Sequence, residues 1–234
     1  MRRPIKTRKD LDIASNHFLR RNPGYPLGVT LTELDYLRGS NDDFFGDAID
    51  AKYSTTFAGA GTITPQNNMH GGVIKLLTGA LVNDYSALRL AQNYNTLQAQ
   101  TGSGWIMLVR AKVNETTNRT YRFGAGDFGV WNNYITPTVD TALANPNWYL
   151  RTRTGGGALN DVDSGVAADT NWHWHALEVR QDYAAHYLDG DRINQTVIAI
   201  PNAAFIEAFM YTLTTTTVAK STYVDVWDVI PRNL

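Results

Sequence analysis

At 234 residues the chain can bury a substantial core, and its 19 glycines, 12 tyrosines and many threonines and asparagines suit strands and turns better than helices. A net charge of −1 gives the molecule as a whole no field for nucleic acid or a membrane, and the lack of cysteine excludes disulfides and thiolate metal sites. No apolar run reaches spanning length and none follows the basic N-terminus, so neither a membrane segment nor a secretory signal is expected.

Residues 1–41 read as an extended basic arm. Arg2, Arg3, Lys6, Arg8 and Lys9 crowd its start, and Arg20 and Arg21 follow. Pro4, Pro23, Gly24, Pro26 and Gly28 break all but a short helix-compatible run over residues 11–20. Such a segment fits a peptide that docks on an acidic neighbour or nucleic acid, or else a solvated tail. Phe18, Leu19, Tyr25, Leu27, Leu31, Leu34, Tyr36 and Leu37 favour docking, with the basic residues above, Phe18 and Tyr25 as candidate partner contacts.

Residues 42–234 change to short strands at close spacing and read as one domain. DDFFGDAIDAKYSTTFAGAGTI supplies an entry strand and a glycine-rich turn, and strands follow at 73–78, 86–91 and 97–100. Residues 105–113 (WIMLVRAKV) alternate most clearly. Trp105, Met107, Val109, Ala111 and Val113 take one face, while Ile106, Leu108, Arg110 and Lys112 take the other. Residues 120–124 form a strand and 128–134 a candidate one. At 148–154 Tyr149, Arg151 and Arg153 oppose Trp148, Leu150 and Thr152. Residues 158–171 read as a polar loop. A meander then runs through 174–181, 184–188 and 193–197, with Asp189 and Gly190 as a type I′ turn that needs φ > 0 at both positions. Residues 203–214 fit a strand or one or two helical turns, and 221–230 form the closing strand. The prediction is an all-β, antiparallel two-sheet sandwich.

The succession FFGDAIDAKYS, GGVIKLLTGA, WIMLVRAKV, WHWHALEV with AAHYLDGDRI, and YVDVWDVIP resembles the concanavalin A-like lectin/glucanase (laminin G-like) superfamily. The form is the one found in phage virion proteins, and the resemblance covers about residues 42–231. It implies a jelly roll whose concave sheet carries the ligand. It implies no single activity, because this architecture serves lectins, hydrolases, lyases and virion proteins.

A retaining glucanase of this superfamily sets two carboxylates about 5 Å apart, which on one strand means acids at i and i+4 facing the cleft. No such run occurs. Glu178 shares its face with Arg180 and with Asp182 at a turn, and Asp225 and Asp228, three apart, are expected on opposite faces. Arg151, Arg153, His173, His175 and Tyr187 are residue types that a polysaccharide lyase uses, but the lyase strand motifs are missing. No catalytic residue is therefore assigned. His173 and His175 point the same way, as two ligands should, yet they share that face with Leu177 and Val179 and read as hydrogen-bonded core histidines. Asp161, Asp163 and Asp169 are candidate Ca²⁺ ligands, but DVDSGVAAD lacks a full ligand set, so no metal or other cofactor is expected. GAGTIT and GAGDFG read as turns, since neither opens a helix after a strand.

One pattern remains. Arg110, Lys112, Arg122, Tyr149, Arg151, Arg153, Trp174, Glu178 and Arg180 project from strands away from the core and are the candidate ligand-binding face, suited to an acidic glycan or an acidic protein surface. The bland alternative is a solvated sheet face with ordinary charge pairs. Trp131, Tyr134 and Trp172 fall near strand ends, where sugars stack or where core residues sit. The functional expectation is a non-enzymatic virion structural and binding protein, a capsid-decoration or tail-associated subunit assembled in the host cytoplasm. Its arm would fasten it to neighbouring subunits as a homo-oligomer or in a lattice, its sandwich would touch cell-surface glycan, and it would have no membrane partner. The alternative is a carbohydrate-active enzyme of the same fold, a glycoside hydrolase or polysaccharide lyase.

Overall fold

The computed structural model describes residues 49, 51–66, 72–90, 97, 103–143, 146–201 and 206–233. The arm lies outside them, and with it Arg2, Arg3, Lys6, Arg8, Lys9, Phe18, Arg20, Arg21 and Tyr25. The described residues form strands and turns without a helix. In chain order the strands are β1 (Tyr53–Ala58), β2 (Thr62–Gln66), β3 (Val73–Leu77), β4 (Tyr85–Leu90), β5 (Ser103–Val113), β6 (Arg119–Gly126) and β7 (Tyr134–Asp140). They continue with β8 (Asn147–Arg153), β9 (Asn160–Ala167), β10 (His173–Arg180), β11 (Ala184–Leu188), β12 (Asp191–Thr196), β13 (Glu207–Thr214) and β14 (Ser221–Asn233).

Two seven-stranded antiparallel sheets result, one ordered β1-β4-β13-β6-β7-β8-β9 and the other β12-β11-β10-β5-β14-β3-β2. The alternation expected for β5 is present, and Trp105, Met107, Val109, Ala111 and Val113 are buried between the sheets. Tyr121, Phe123, Ile135, Val139, Trp148, Leu150, Leu88 and Met210 meet them from the opposite sheet. Each large apolar side chain removed from water contributes about 1.5–3 kcal/mol, so this seam is the main source of stability. His175 and His186 lie inside it, ring to ring, against Trp148 and Phe123. His175 is a core residue, as the pattern around Leu177 and Val179 implied, whereas His173 is only partly buried and pairs with Asp169 and Asp189.

Polar clamps close the ends. Arg119, fully buried, donates to Asn114 Oδ1, the carbonyls of Glu115 and Ser221, and the hydroxyls of Thr212 and Thr222, so one guanidinium ties β13 of one sheet to β14 of the other. Burial lowers its pKa to about 10. At the far edge Asn194 donates to the Val162 carbonyl and Asn160 to the Thr196 hydroxyl, which stitches β9 to β12.

The meander is as expected: Asp189 and Gly190 have φ of 50° and 96°, both left-handed, between β11 and β12. Three other expectations need correction, and one strand was not foreseen. Residues 160–167 are a strand, because Val162 packs on the core while Asp161 and Asp163 face outward opposite Arg151 and Tyr149. Residues 128–133 are a turn instead of a strand, with positive φ at Gly129 (94°) and Trp131 (57°), and the strand starts at Tyr134. Pro137 hid β7, since proline is rare inside a sheet. Here the β6–β7 register runs from Thr120–Asp140 to Arg122–Thr138 and resumes only at Ala125–Ile135, so the missing N–H falls in a gap. Gly124 sits in that gap at φ 151°, where a Cβ would lie 2.1 Å from the Ile135 carbonyl oxygen. Finally, a bulge between Val224 and Val226 shifts the side-chain parity of β14. Asp225 therefore pairs with Arg110 and Asp228 stands opposite Leu108, both on the outer face. Two ambiguous segments resolve only in part. Residues 207–214 are strand β13, and Leu97 makes an isolated bridge to Ile206, while 98–100 and 203–205 lie outside the described residues.

Candidate active site

The outer face of the β1–β9 sheet carries an aromatic half and a polar half. Alternation on β4, β13 and β6 turns Tyr85, Phe209, Tyr211 and Arg122 outward, and the turn after β6 adds Phe128 and Trp131. Trp131 meets Phe209 at 5.3 Å, Tyr211 at 5.7 Å and Tyr134 at 5.8 Å, each edge to face, the favoured geometry for aromatic pairs. Arg89 lies 5.0 Å from the Phe128 ring and pairs with Glu207 at 3.2 Å; Arg122 lies 5.5 Å from Trp131 and 5.8 Å from Tyr211. These contacts are close enough for cation–π attraction.

On β7, β8 and β9 the same alternation turns out Thr136, Thr138, Asp140, Arg151 and Asp161. Arg151 grips Asp161 in a fork, Nε to Oδ1 at 2.6 Å and Nη2 to Oδ2 at 3.1 Å, and donates from Nη1 to Asp140 Oδ2 at 3.0 Å. One guanidinium thus holds two carboxylates from two strands. Burial alone would lower the Arg151 pKa, but the bonds to Asp161 and Asp140 outweigh it and the pKa is raised. Arg122 shifts the other way, lowered first by burial and then by the charge of Arg151, with Asp140 offsetting part. Burial pushes Tyr134 up and Tyr211 up to about 12, so both stay neutral phenols able to donate to an oxygen ligand. Arg153 donates to the carbonyls of Trp131, Gly156 and Gly157 and pins the turn that presents Trp131.

The nine residues expected on one face divide between two. Arg122, Tyr149, Arg151 and Arg153 stand here, on β6 and β8. Arg110, Lys112, Trp174, Glu178 and Arg180 stand on β5 and β10, on the opposite side of the sandwich. The reason is geometric: alternation places a side chain relative to its own sheet and does not say which sheet the strand joins. On that far side Arg110 pairs with Asp225, and Lys112 lies over the rings of Trp172 and Tyr223. The Glu178 carboxylate takes Arg180 on one oxygen and the hydroxyls of Tyr183 and Tyr187 on the other. The three candidate calcium ligands also separate. Asp161 holds Arg151, Asp163 accepts from Asn147 and the Gly165 N–H, and Asp169 accepts from the Asn171 N–H and lies 2.9 Å from His173 Nε2.

Asp140, Arg89, Phe128 and Tyr211 were missed as site residues. Asp140 closes the strand that Pro137 concealed, and Tyr211 lies in the segment left open between strand and helix. The signal available was the spacing of Phe209, Tyr211 and Leu213, which alternates with Ala208, Met210 and Thr212.

No protein-family model and no curated protein matches the sequence. Solved structures do match in fold. A structure described with endo-acting O-glycanases of human gut bacteria superposes with a TM-score of 0.63 at 12% identity, over 83% of this chain and 99% of that one. A β-1,3-1,4-glucanase (lichenase) from a mouse hindgut metagenome gives 0.61 at 13% identity, over 82% and 99%. A glycosyl hydrolase family protein of Mycobacterium fortuitum gives 0.59 at 13%, again over 82% and 99%.

The fold is the antiparallel two-sheet jelly roll of these structures. Within that jelly roll the three neighbours are all carbohydrate-cleaving proteins, and none is a virion component. The expectation of a non-enzymatic protein is corrected on this finding. At such identities the likeness establishes architecture, so any activity of the jelly roll has to be argued from its own side chains.

Proposed function

We propose that the chain is a carbohydrate-active enzyme of the glycoside hydrolase type, with its glycan lying along the outer face of the β1–β9 sheet. The observation that carries this reading is the pair Asp140 and Asp161 on one guanidinium, beside the Trp131, Phe128 and Tyr211 rings. Both carboxylates lie within hydrogen-bond reach of one guanidinium, Asp161 Oδ1 at 2.6 Å and Asp140 Oδ2 at 3.0 Å, which holds the two acids on one patch of the face. Asp161, with 23% of its side chain exposed, is the more open to water and suits the base or nucleophile. Asp140, at 10%, is the more enclosed and stands beside both Arg151 and Arg122 as the second carboxyl of the pair. The aromatic half offers ring faces for sugars, and the neutral Tyr134 and Tyr211 hydroxyls offer donors. The fold likeness to a lichenase and to glycosyl hydrolases supports the reading.

A second reading, eliminative cleavage, has one observation in its favour: Tyr134 stands among Arg122, Arg151 and Arg153. The test is reducing-end release by the purified full chain on a panel of polysaccharides, with ultraviolet detection of unsaturated ends. Hydrolysis gives reducing ends without the chromophore, and Asp140→Asn and Asp161→Asn should each lower it by about 100-fold or more. Turnover that survives both substitutions rejects the assigned pair, and no turnover on any glycan rejects the function.

A further inference from the structure

Arg122 breaks the rule that a buried guanidinium is satisfied by its surroundings. It projects from the middle of β6 onto the outer face, with 17% of its side chain exposed. Its Nε is buried without a hydrogen-bond partner. Its ionic neighbour is Asp140 Oδ2 at 3.6 Å, beyond hydrogen-bond length, and that oxygen already accepts from Arg151 at 3.0 Å. Trp131 and Tyr211 line it at 5.5 and 5.8 Å. Compare the other arginines of this face. Arg89 has Glu207, Arg151 has two aspartates, and Arg153 has three backbone carbonyls. Arg89 also has a buried Nε without a partner, but its Nη1 and Nη2 donate to Glu207 and Ser54; of these four, Arg122 is the one whose guanidinium makes no hydrogen bond, its contact with Asp140 at 3.6 Å being an ion pair only.

We infer that Arg122 is the anion-recognition residue of the glycan site, so that the polysaccharide bound on this face is acidic and places a carboxylate or sulfate in the Arg122 fork. This rests on the glycan reading above and narrows it. A planar carboxylate meets a guanidinium with two parallel charge-assisted hydrogen bonds, and a sulfate ester presents a comparable oxygen pair. The rings of Trp131 and Tyr211 keep water from the fork, which strengthens those bonds, and they flank the sugar that carries the anion. A neutral glucan would cover the fork without supplying a charge, leaving the guanidinium buried with only the 3.6 Å contact to an Asp140 oxygen that Arg151 already holds, which is unfavourable.

The experiment measures binding of the full chain, by calorimetry or affinity electrophoresis, to three polymers: a polyuronate, a sulfated galactan and neutral lichenan. The same titrations are run on Arg122→Met and Arg122→Lys, with melting curves to confirm folding. The expected result is binding to one acidic polymer at least about tenfold tighter than to lichenan, weakening with added salt. Arg122→Met should lose about 10- to 100-fold for the acidic polymer, at least about tenfold more than it loses for lichenan, and Arg122→Lys should fall between, since it keeps the charge without the fork. The polyuronate and sulfated arms decide which anion is meant. Equal binding of acidic and neutral polymers, insensitive to Arg122→Met, overturns the inference while leaving the glycan reading intact. Binding to none of the three overturns the inference and the glycan reading together. If Arg122→Met does not fold, Arg122→Lys carries the test: unchanged acidic-polymer affinity in that variant overturns the fork.

Discussion

Arg151 and Asp161 form a two-point ion pair across neighbouring strands, with Nε on one carboxylate oxygen and Nη2 on the other. Only 7% of the arginine side chain is exposed, and its third donor group serves Asp140. Removing the guanidinium takes away both bonds to Asp161 and leaves Asp140 with only the longer 3.6 Å contact to Arg122. Arg151→Met should therefore cost about 3–5 kcal/mol, seen as a lower denaturant midpoint, in addition to any loss of turnover. Asp161→Asn, which keeps shape and one acceptor, should cost less stability but reduce turnover by about 100-fold or more.

Trp131 sits at the tip of a turn with left-handed φ, against Phe209, Tyr211 and Tyr134. Trp131→Ala should lower glycan affinity by about tenfold or more through lost stacking, and should lower stability modestly because the ring is only half-buried. Titration of the variant with whichever polymer the wild type binds checks the first, and thermal unfolding the second. Unchanged affinity would remove Trp131 from the site.

Arg119 makes the opposite demand. It touches no outer face, and its five acceptors come from β13, β14 and the turn before β6. Arg119→Met should destabilise by about 3–5 kcal/mol by orphaning buried oxygens, with kcat/KM of the folded fraction unchanged.

Burial holds the His186 pKa down to about 3, and burial together with the charge of His186 holds His175 well below its ordinary value. Their Nδ1 and Nε2 atoms are 3.2 Å apart in the seam. Both stay neutral in the folded chain while the unfolded chain binds protons below about pH 6.5, so stability falls with acid by about 1.4 kcal/mol per pH unit for each histidine. His173 runs the other way. Burial would lower it, but hydrogen bonds to Asp189 and Asp169 outweigh that and raise it. Its contribution is complete below about pH 6.5 and is lost as pH rises through the folded value. Urea midpoints at about pH 7.5 and 5.5 should show a net loss on acidification, reduced in His186→Phe. A midpoint that rises with acid would show that His173 dominates.

The sequence made some of this architecture legible and concealed the rest for identifiable reasons. Strand β5 was readable because five core residues alternate without interruption, and the β11–β12 turn because Asp189 and Gly190 are the pair that left-handed backbone selects. Strands β7 and β9 were obscured by Pro137 and by the acidic, glycine-containing run from Asp161 to Gly165. The pairing of Asp140 with Asp161 could not be foreseen, since the two meet through Arg151 on a third strand. The split of the expected face follows from the same limit: Arg110 and Arg122 are both outward, but outward from different sheets.

The gap at Gly124 and Pro137 bears on how the site moves. Asp140, Arg151 and Asp161 all ride on β7, β8 and β9, a panel whose far edge is sewn to β12 by Asn160 and Asn194. Arg122, Phe209 and Tyr211 ride on β6 and β13, across the interrupted ladder. The interruption in the β6–β7 ladder therefore runs between the groups assigned to chemistry and those assigned to recognition. Fewer ladder bonds across that line leave it the easier to open locally, so amide hydrogens flanking Pro137 should exchange faster than those of β5.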